Sequence, residues 1–310
     1  MTQEMTQPLV WLPFDSRSLG EPPAGLRYEK VVPEADQDPP ASIAEVEFYV
    51  PPYQLGAQGN DLLGRMPRLR VVQTLTAGVE HIRAAVPEGV SLCNGRGIHD
   101  TSTAELVLAL TLASLRGIPE FVRERDHEVW HQRSLPALAD KRVLIVGYGS
   151  IGEAIERRLL PFEVEVVKVA RRAREGVHAF EDLPSLVPEA DVVVLVVPLT
   201  EQTRGLVDAD FLSRMKDGAL LVNVARGAVI DTDALLAELG NERIAAALDV
   251  FDVEPLPAGH PLWTAPRLLI SPHVGGASSA MWPRAHRLVR EQLERFAAGD
   301  QLVNQMTGDY

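Results

Sequence analysis

The stretch "VLIVGYGSIGEAIERRLL", Val143 to Leu160, decides the fold. Four apolar residues run without polar alternation straight into Gly147, Gly149 and Gly152, and a helix-like segment follows. A continuous apolar run marks a strand buried on both faces. The three glycines serve different ends. Gly147 permits a tight turn, Gly149 lets the backbone approach a pyrophosphate, and Gly152 lets helix and strand pack closely. The helix N-terminus turns unpaired N–H groups and a partial positive charge toward the phosphates. A glycine-rich turn with no ligand is the bland alternative. The strand before it and the helix after it favour a dinucleotide cradle.

Working outward, "KRVLIVG", "VEVVKVA", "DVVVLVV", "ALLVNVA", "RIAAALDV" and "RLLISPH" are six short apolar runs, most of them separated by helix-like segments. They predict an α/β fold with a doubly wound parallel sheet. Upstream, "PLVWLP", "AEVEFYV", "LRVVQTL" and "VSLCN" predict four strands in a proline-rich region, and "TSTAELVLALTLASLR" predicts a buried helix with Thr and Ser as cap candidates. The segment "ASSAMWPRAHRLVREQLERFAAGD" predicts a long final helix that returns to the first domain. Two Rossmann-like domains are therefore expected. The smaller, discontinuous and flavodoxin-like substrate domain spans 1–97 and 285–310, and the cofactor domain spans 98–284.

The second strand of a dinucleotide fold usually ends in an acid that binds the adenosine ribose 2′-OH. Here "VARRA" supplies Arg171 and Arg172 instead. A guanidinium can hold a 2′-phosphate through paired charge-assisted hydrogen bonds, so NADP is the preferred cofactor and NAD the secondary one. A solvated pair of surface arginines is the competing reading.

Three later loops carry complementary chemistry: "NVARGAVID" with Arg226, "LDVFDVEPLP" with Glu254, and "SPHVGGAS" with His273. Loops beyond the carboxyl ends of strands converge on the ligand crevice of an open α/β sheet. Arginine clamps a carboxylate, histidine passes a proton near neutrality, and a carboxylate orients the imidazole. Singly, each is more often a surface, turn or structural residue. Together they predict a catalytic trio.

With these motifs, and with "TLTAGVEHI", "TAELVLAL" and "VPLTEQTRGLVD" in the same order, nearly the whole chain resembles the D-isomer-specific 2-hydroxyacid dehydrogenases, particularly their glyoxylate and hydroxypyruvate reductases. The resemblance implies reversible hydride transfer between nicotinamide and a small 2-oxo or 2-hydroxy acid. Arg226 would hold the substrate carboxylate, His273 would supply the proton, and Glu254 would keep the imidazole protonated and turned. Gly78 and Val79 would add backbone N–H groups to the carboxylate. Ser150 and Ile151 would meet the pyrophosphate, while Val197, Pro198 and Thr203 would border the adenosine. Val224, Asp249 and Gly275 would face the nicotinamide, with Thr103 near the cofactor. The family also implies a homodimer. Phosphoglycerate dehydrogenase-like activity and a nucleotide-sensing protein without turnover are the alternatives.

Composition excludes other classes. With 30 basic and 43 acidic residues the net charge is -13, which repels nucleic acid and anionic lipid. The sole cysteine, Cys93, excludes an intrachain disulfide and suits a cytoplasmic location. "MTQEMTQPLVWLPF" has no basic start and long apolar run, so neither signal peptide nor membrane segment is expected. Arg96 fits either an anionic substrate tail or a solvated hinge. Trp282 fits either a pocket lid or packing of the last helix. "HEVWH", His127 to His131, reads as H-E-x-x-H on a helix, the pattern of a zinc metallopeptidase with Glu128 as base. Short motifs of this kind often arise without a metal, so no metal is expected.

Overall fold

The computed structural model describes residues 7–34, 37–53 and 60–307; the first six residues, part of the stretch read for a leader, lie outside them. The chain divides into two units, Met1–His99 with Ser279–Tyr310, and Asp100–Ser278. These bounds differ from the expected cuts after 97 and 284. Asp100 opens a helix of the second unit, and a cut at 284 would split a helix whose first residue, Met281, is buried in the core of the first unit.

In the smaller unit, β1 (Leu9–Leu12), β2 (Arg27–Lys30), β3 (Val46–Tyr49), β4 (Val71–Gln73) and β5 (Ser91–Cys93) form a parallel sheet in the order β2-β1-β3-β4-β5. Short helices α1 (Asn60–Leu63) and α2 (Glu80–Arg83) lie on the connections after β3 and β4. This is the flavodoxin-like order. Four of the five strands are the expected apolar runs. The fifth, β2, reads "RYEK" and is largely solvent-facing, so edge position rather than hydrophobicity makes it a strand.

The larger unit opens with α3 (Asp100–Leu115) and α4 (Ile118–Asp126). Then come β6 (Arg142–Val146), α5 (Ser150–Leu159), β7 (Glu165–Ala170), β8 (His178–Ala179), α6 (Leu183–Leu186) and β9 (Val192–Leu195). The second half follows as α7 (Ala209–Arg214), β10 (Leu220–Asn223), α8 (Thr232–Gly240), β11 (Ala245–Leu248) and β12 (Leu268–Ile270). The sheet order is β12-β11-β10-β9-β6-β7-β8, all parallel. Seven strands stand where six were expected, because β8 is a two-residue edge strand with no apolar run. The long buried helix α3 begins at Asp100, which puts Thr101 and Ser102 inside its first turn and not at its cap.

Strand alternation builds two cores per sheet. Leu144, Val146, Val193, Leu195 and Leu221 face one layer, while Val143, Ile145, Val192, Val194, Leu220 and Val222 face the layer of α3 and α5. In the smaller unit Val10 and Leu12 pack with the last helix, α9 (Met281–Ala298), and Leu9 and Trp11 pack on the opposite face. The apolar stripe of α9, Met281, Ala285, Val289, Leu293 and Phe296, is interrupted by one buried polar residue. Gln292 Nε2 donates to Gln73 Oε1 at 2.6 Å and to the Val303 carbonyl at 2.9 Å, and its Oε1 accepts from Val303 N–H at 2.9 Å. A buried amide with its partners in place costs little and fixes the helix in one register.

Among the described residues, no helix is long and apolar enough to cross a membrane. The "HEVWH" stretch fails its helical premise. Helix α4 ends at Asp126, His127 caps it, and Glu128 has φ 56°, a left-handed conformation that stops the helix. The two imidazoles therefore do not share a helix face. Among the described residues no group of three or more His, Cys, Asp or Glu side chains could hold a metal.

Candidate active site

One row of partners crosses the larger sheet: Val146, Leu195, Asn223, Leu248 and Ile270 lie in register on β6, β9, β10, β11 and β12. The loops that leave this row hold most of the residues singled out in the sequence. Gly147, Gly149 and Gly152 follow β6, Arg171 and Arg172 follow β7, and Val197, Pro198 and Thr203 follow β9. Val224 and Arg226 follow β10, Asp249 and Glu254 follow β11, and His273 and Gly275 follow β12. Parallel pairing thus sets every loop on the same, carboxyl edge of the sheet.

The glycines divide as their spacing predicts. Gly147 has φ +107°, and a Cβ there would come within 2.5 Å of the Val196 carbonyl oxygen; at Gly152 it would come within 2.4 Å of the Gly147 carbonyl oxygen. At Gly149 a Cβ would meet nothing within 4 Å. Two glycines are demanded by the protein's own packing, and the third leaves an open cradle over the first turn of α5. These residues fit a dinucleotide pyrophosphate. Ser150 Oγ donates to Asp100 Oδ1 at 3.2 Å, which ties the start of α5 to that of α3. Beside the cradle, Thr203 Oγ1 donates to the Pro198 carbonyl at 2.6 Å and accepts from Thr200 N–H at 2.8 Å, closing the loop that carries Val197 and Pro198. Arg171 and Arg172 are exposed, without a hydrogen-bond or ion-pair partner among the described residues.

His273 and Glu254 meet directly, with Nδ1 2.6 Å from Glu254 Oε2. The other oxygen of Glu254 accepts from Phe251 N–H at 2.8 Å, so the carboxylate is fixed at both ends. His273 itself has φ 51°, an uncommon conformation for a residue with a Cβ. Its N–H is held by the Asp249 and Ser271 carbonyls at 2.8 and 3.1 Å.

The Asp249 side chain completes this restraint. It accepts from Ser271 Oγ at 2.6 Å, Val274 N–H at 2.9 Å and Gly275 N–H at 2.8 Å. Asp249 is buried, and both its oxygens shape the His273 loop. Thr103 Oγ1 donates to the Gly275 carbonyl at 3.2 Å, so Thr103, Asp249 and Gly275, separately expected near the cofactor, form one cluster.

Arg226 is held by the turn after β10. Asn223, fully buried, donates from Nδ2 to the Arg226 carbonyl at 3.1 Å and accepts Ala225 N–H at 2.9 Å. Sequence reasoning missed Asn223 and Ser271. The first had a local signal, an Asn opening "NVARG" where a side-chain turn suits it; the second had none, since its partner lies on another strand. Gly227 abuts the loop bearing Glu254: a Cβ there would fall 1.8 Å from the Phe251 carbonyl carbon.

Gly78 and Val79 lie in the smaller unit, where Val79 is the N-cap residue of α2 and is fully buried. Their turn is braced by Thr76 Oγ1 donating to the Gly78 carbonyl at 2.7 Å and Asn94 Nδ2 to the Ala77 carbonyl at 3.0 Å. Also in that unit, Trp282 packs edge-on to Phe14 at 6.1 Å and beside His286 at 5.6 Å. The backbone carbonyl of Arg96 accepts from Asn304 Nδ2 at 3.0 Å.

Known proteins are similar to this chain in sequence and fold. The family model described as "D-isomer specific 2-hydroxyacid dehydrogenase, NAD binding domain" matches residues 108–275. A glyoxylate reductase/hydroxypyruvate reductase of Mus musculus is 37% identical over 226 residues, 68% of each chain. A D-isomer specific 2-hydroxyacid dehydrogenase of Xanthobacter autotrophicus Py2, solved with NADPH and MES, is 32% identical with a TM-score of 0.81, over 97% of this chain and 98% of that one. An NADPH-dependent glyoxylate/hydroxypyruvate reductase of Sinorhizobium meliloti, solved with NADP and malonate, is 25% identical with a TM-score of 0.79, over 97% of each chain.

Proposed function

The chain belongs to the D-isomer specific 2-hydroxyacid dehydrogenase family and is an NAD(P)-dependent oxidoreductase of 2-hydroxy acids, and from that premise we propose that it is an NADPH-preferring reductase of a small 2-oxo acid such as glyoxylate or hydroxypyruvate. The observation that carries the reading is the 2.6 Å contact between His273 and Glu254 in a loop held by Asp249. The substrate class rests on the activities for which the mouse and Sinorhizobium relatives are named. Preference for NADPH rests on the unpartnered Arg171 and Arg172, where a carboxylate would repel a 2′-phosphate.

A bound reduced nicotinamide supplies the hydride. Its pyrophosphate would be held by the glycine loop with Ser150 and Ile151, its adenosine side by Val197, Pro198 and Thr203, and its nicotinamide side by Thr103, Val224, Asp249 and Gly275. Arg226 holds the substrate carboxylate and polarises the carbonyl. Glu254 accepts a hydrogen bond from the Nδ1–H of protonated His273, and Nε2–H of that imidazolium donates its proton to the carbonyl oxygen as it becomes a hydroxyl. In the reverse direction Nε2 takes that proton back.

We further assign a homodimer and a cytoplasmic location. The first is supported by α4, none of whose residues is buried, and by the neighbouring Trp130, 95% exposed. The second is supported by Cys93, buried and unpaired with any other cysteine, which suits a reducing compartment.

The test is a panel of 2-oxo acids assayed with NADPH and with NADH. Turnover of glyoxylate or hydroxypyruvate with a lower KM for NADPH is expected. His273→Ala should lower kcat by about 10²-fold or more. No turnover on the panel, or near-normal turnover of the variant, would overturn the assignment.

A further inference from the structure

The sequence "GYGSIG" places Tyr148 between the first two glycines of the cradle, a position that the cofactor contacts above leave without a role. Its side chain is the centre of a cluster drawn from three elements. The phenol donates to Glu156 Oε2 on α5. Lys168 of β7 donates to Glu156 Oε1 at 3.0 Å and lies 5.2 Å from the centre of the Tyr148 ring. From the loop after β7, Arg174 lies 5.4 Å from the same ring centre, and its Nη2 donates to the Tyr148 carbonyl at 2.5 Å.

Arg174 is itself anchored. Its backbone exchanges two hydrogen bonds with Val177, N–H to carbonyl at 3.0 Å and back at 2.8 Å, around Gly176 at φ +67°. It differs in this from Arg171 and Arg172, which leave the same strand end without partners. The titrations of the cluster agree with its contacts. Burial, with the hydrogen bond to Glu156, pushes the Tyr148 phenol up to about 12. Burial works against the Glu156 carboxylate, but the hydrogen bonds from Tyr148 and Lys168 hold it below its usual range. The Tyr148 phenol therefore stays protonated and the Glu156 carboxylate charged across the neutral range.

The Tyr148 carbonyl and the Gly149 N–H belong to one peptide unit. A guanidinium donating to that carbonyl withdraws electron density from the N–H at the other end, which strengthens it as a donor. It also fixes the plane of the peptide that leads into Gly149, the cradle's open glycine. Two cations on one ring and a carboxylate on its hydroxyl stop the Tyr148 side chain from rotating and carrying the loop with it.

We propose that Arg174 is a positioning residue for the cofactor pyrophosphate, acting through Tyr148 to hold and polarise the glycine loop, whereas Arg171 and Arg172 discriminate between the two dinucleotides. This division of labour rests on the nucleotide-binding reading above. It separates two effects that three arginines within four residues would otherwise share. Loss of Arg174 weakens NADP and NAD alike, because both carry the pyrophosphate. Loss of Arg171 and Arg172 weakens NADP alone, because only NADP carries the 2′-phosphate.

Calorimetric titration of the unliganded protein with NADP⁺ and, separately, NAD⁺ tests it without turnover. Arg174→Ala is expected to raise both dissociation constants about tenfold and leave their ratio unchanged, the scale of one charge-assisted hydrogen bond. Arg174→Lys should recover part of the loss. In a Tyr148→Leu background, which removes the ring but keeps the backbone carbonyl that Arg174 holds, Arg174→Ala should still weaken both dinucleotides. Wild-type melting temperature for the free variants separates positioning from folding. Unchanged affinity for both dinucleotides in Arg174→Ala, or a loss confined to NADP⁺, would overturn the inference while leaving the dinucleotide site intact. Failure of the wild-type protein to bind either dinucleotide would overturn the underlying reading.

Discussion

Gly227 decides how closely Arg226 and Glu254 can approach. Even an alanine methyl there would occupy the space of the Phe251–Asp252 peptide, 1.8 Å from one carbon and 2.1 Å from the next nitrogen. Gly227→Ala must push apart the two loops that carry the arginine and the glutamate. A loss of about 10²-fold in kcat/KM is expected with the far-ultraviolet circular dichroism unchanged, since displacement near 1 Å suffices for such a loss; steady-state kinetics on the purified variant checks it. At this scale the sequence was most legible where chemistry chose the side chain. Arg226, Glu254 and His273 stood out by their order in three successive loops, and the structure brings His273 and Glu254 to 2.6 Å. The supports were less legible: the Asp249 carboxylate grips Ser271, Val274 and Gly275. Such pairings depend on strand register, which no local pattern encodes.

Among elements, β6 and β9 are tied at their starts by Asp191. Its carboxylate accepts Arg142 N–H at 2.8 Å and Lys216 Nζ at 3.2 Å. Burial works against the charge, but these hydrogen bonds hold the carboxyl below its ordinary value of 3.8. The folded protein thus takes up this proton less readily than the unfolded chain. The stability it contributes is present above that ordinary value and is lost as pH falls through the lower, folded value. Asp191→Ala should cost about 1–3 kcal/mol near pH 7, and the gap to wild type should narrow as the pH approaches 3; urea unfolding curves across that range measure it. Buried apolar strands were legible because both faces are covered. The edge strands β2 and β8 were not, since pairing alone makes them strands. The "HEVWH" stretch misled for the converse reason: its spacing fits a helix, but Glu128 adopts a left-handed turn that ends one.

At the scale of the molecule, α4 and the stretch after it gather exposed apolar side chains: Ile118, Phe121, Val122, Val129 and Trp130 are all exposed. Arg133 stacks over Phe121 at 4.5 Å and pairs with Glu124 at 2.8 Å, which binds that stretch back onto the helix. If this surface joins two copies, Trp130→Asp should shift the sedimentation coefficient from that of a dimer to that of a monomer, while the isolated wild type stays dimeric at micromolar concentration. The order of the units along the chain has a further consequence, one of timing. Strands β1 to β5 leave the ribosome first, but their sheet lacks the stripe of α9 and the amide of Gln292 until the larger unit has been synthesised. The inserted unit, contiguous from Asp100 to Ser278, can therefore complete its fold while its host is still waiting for its own last helix.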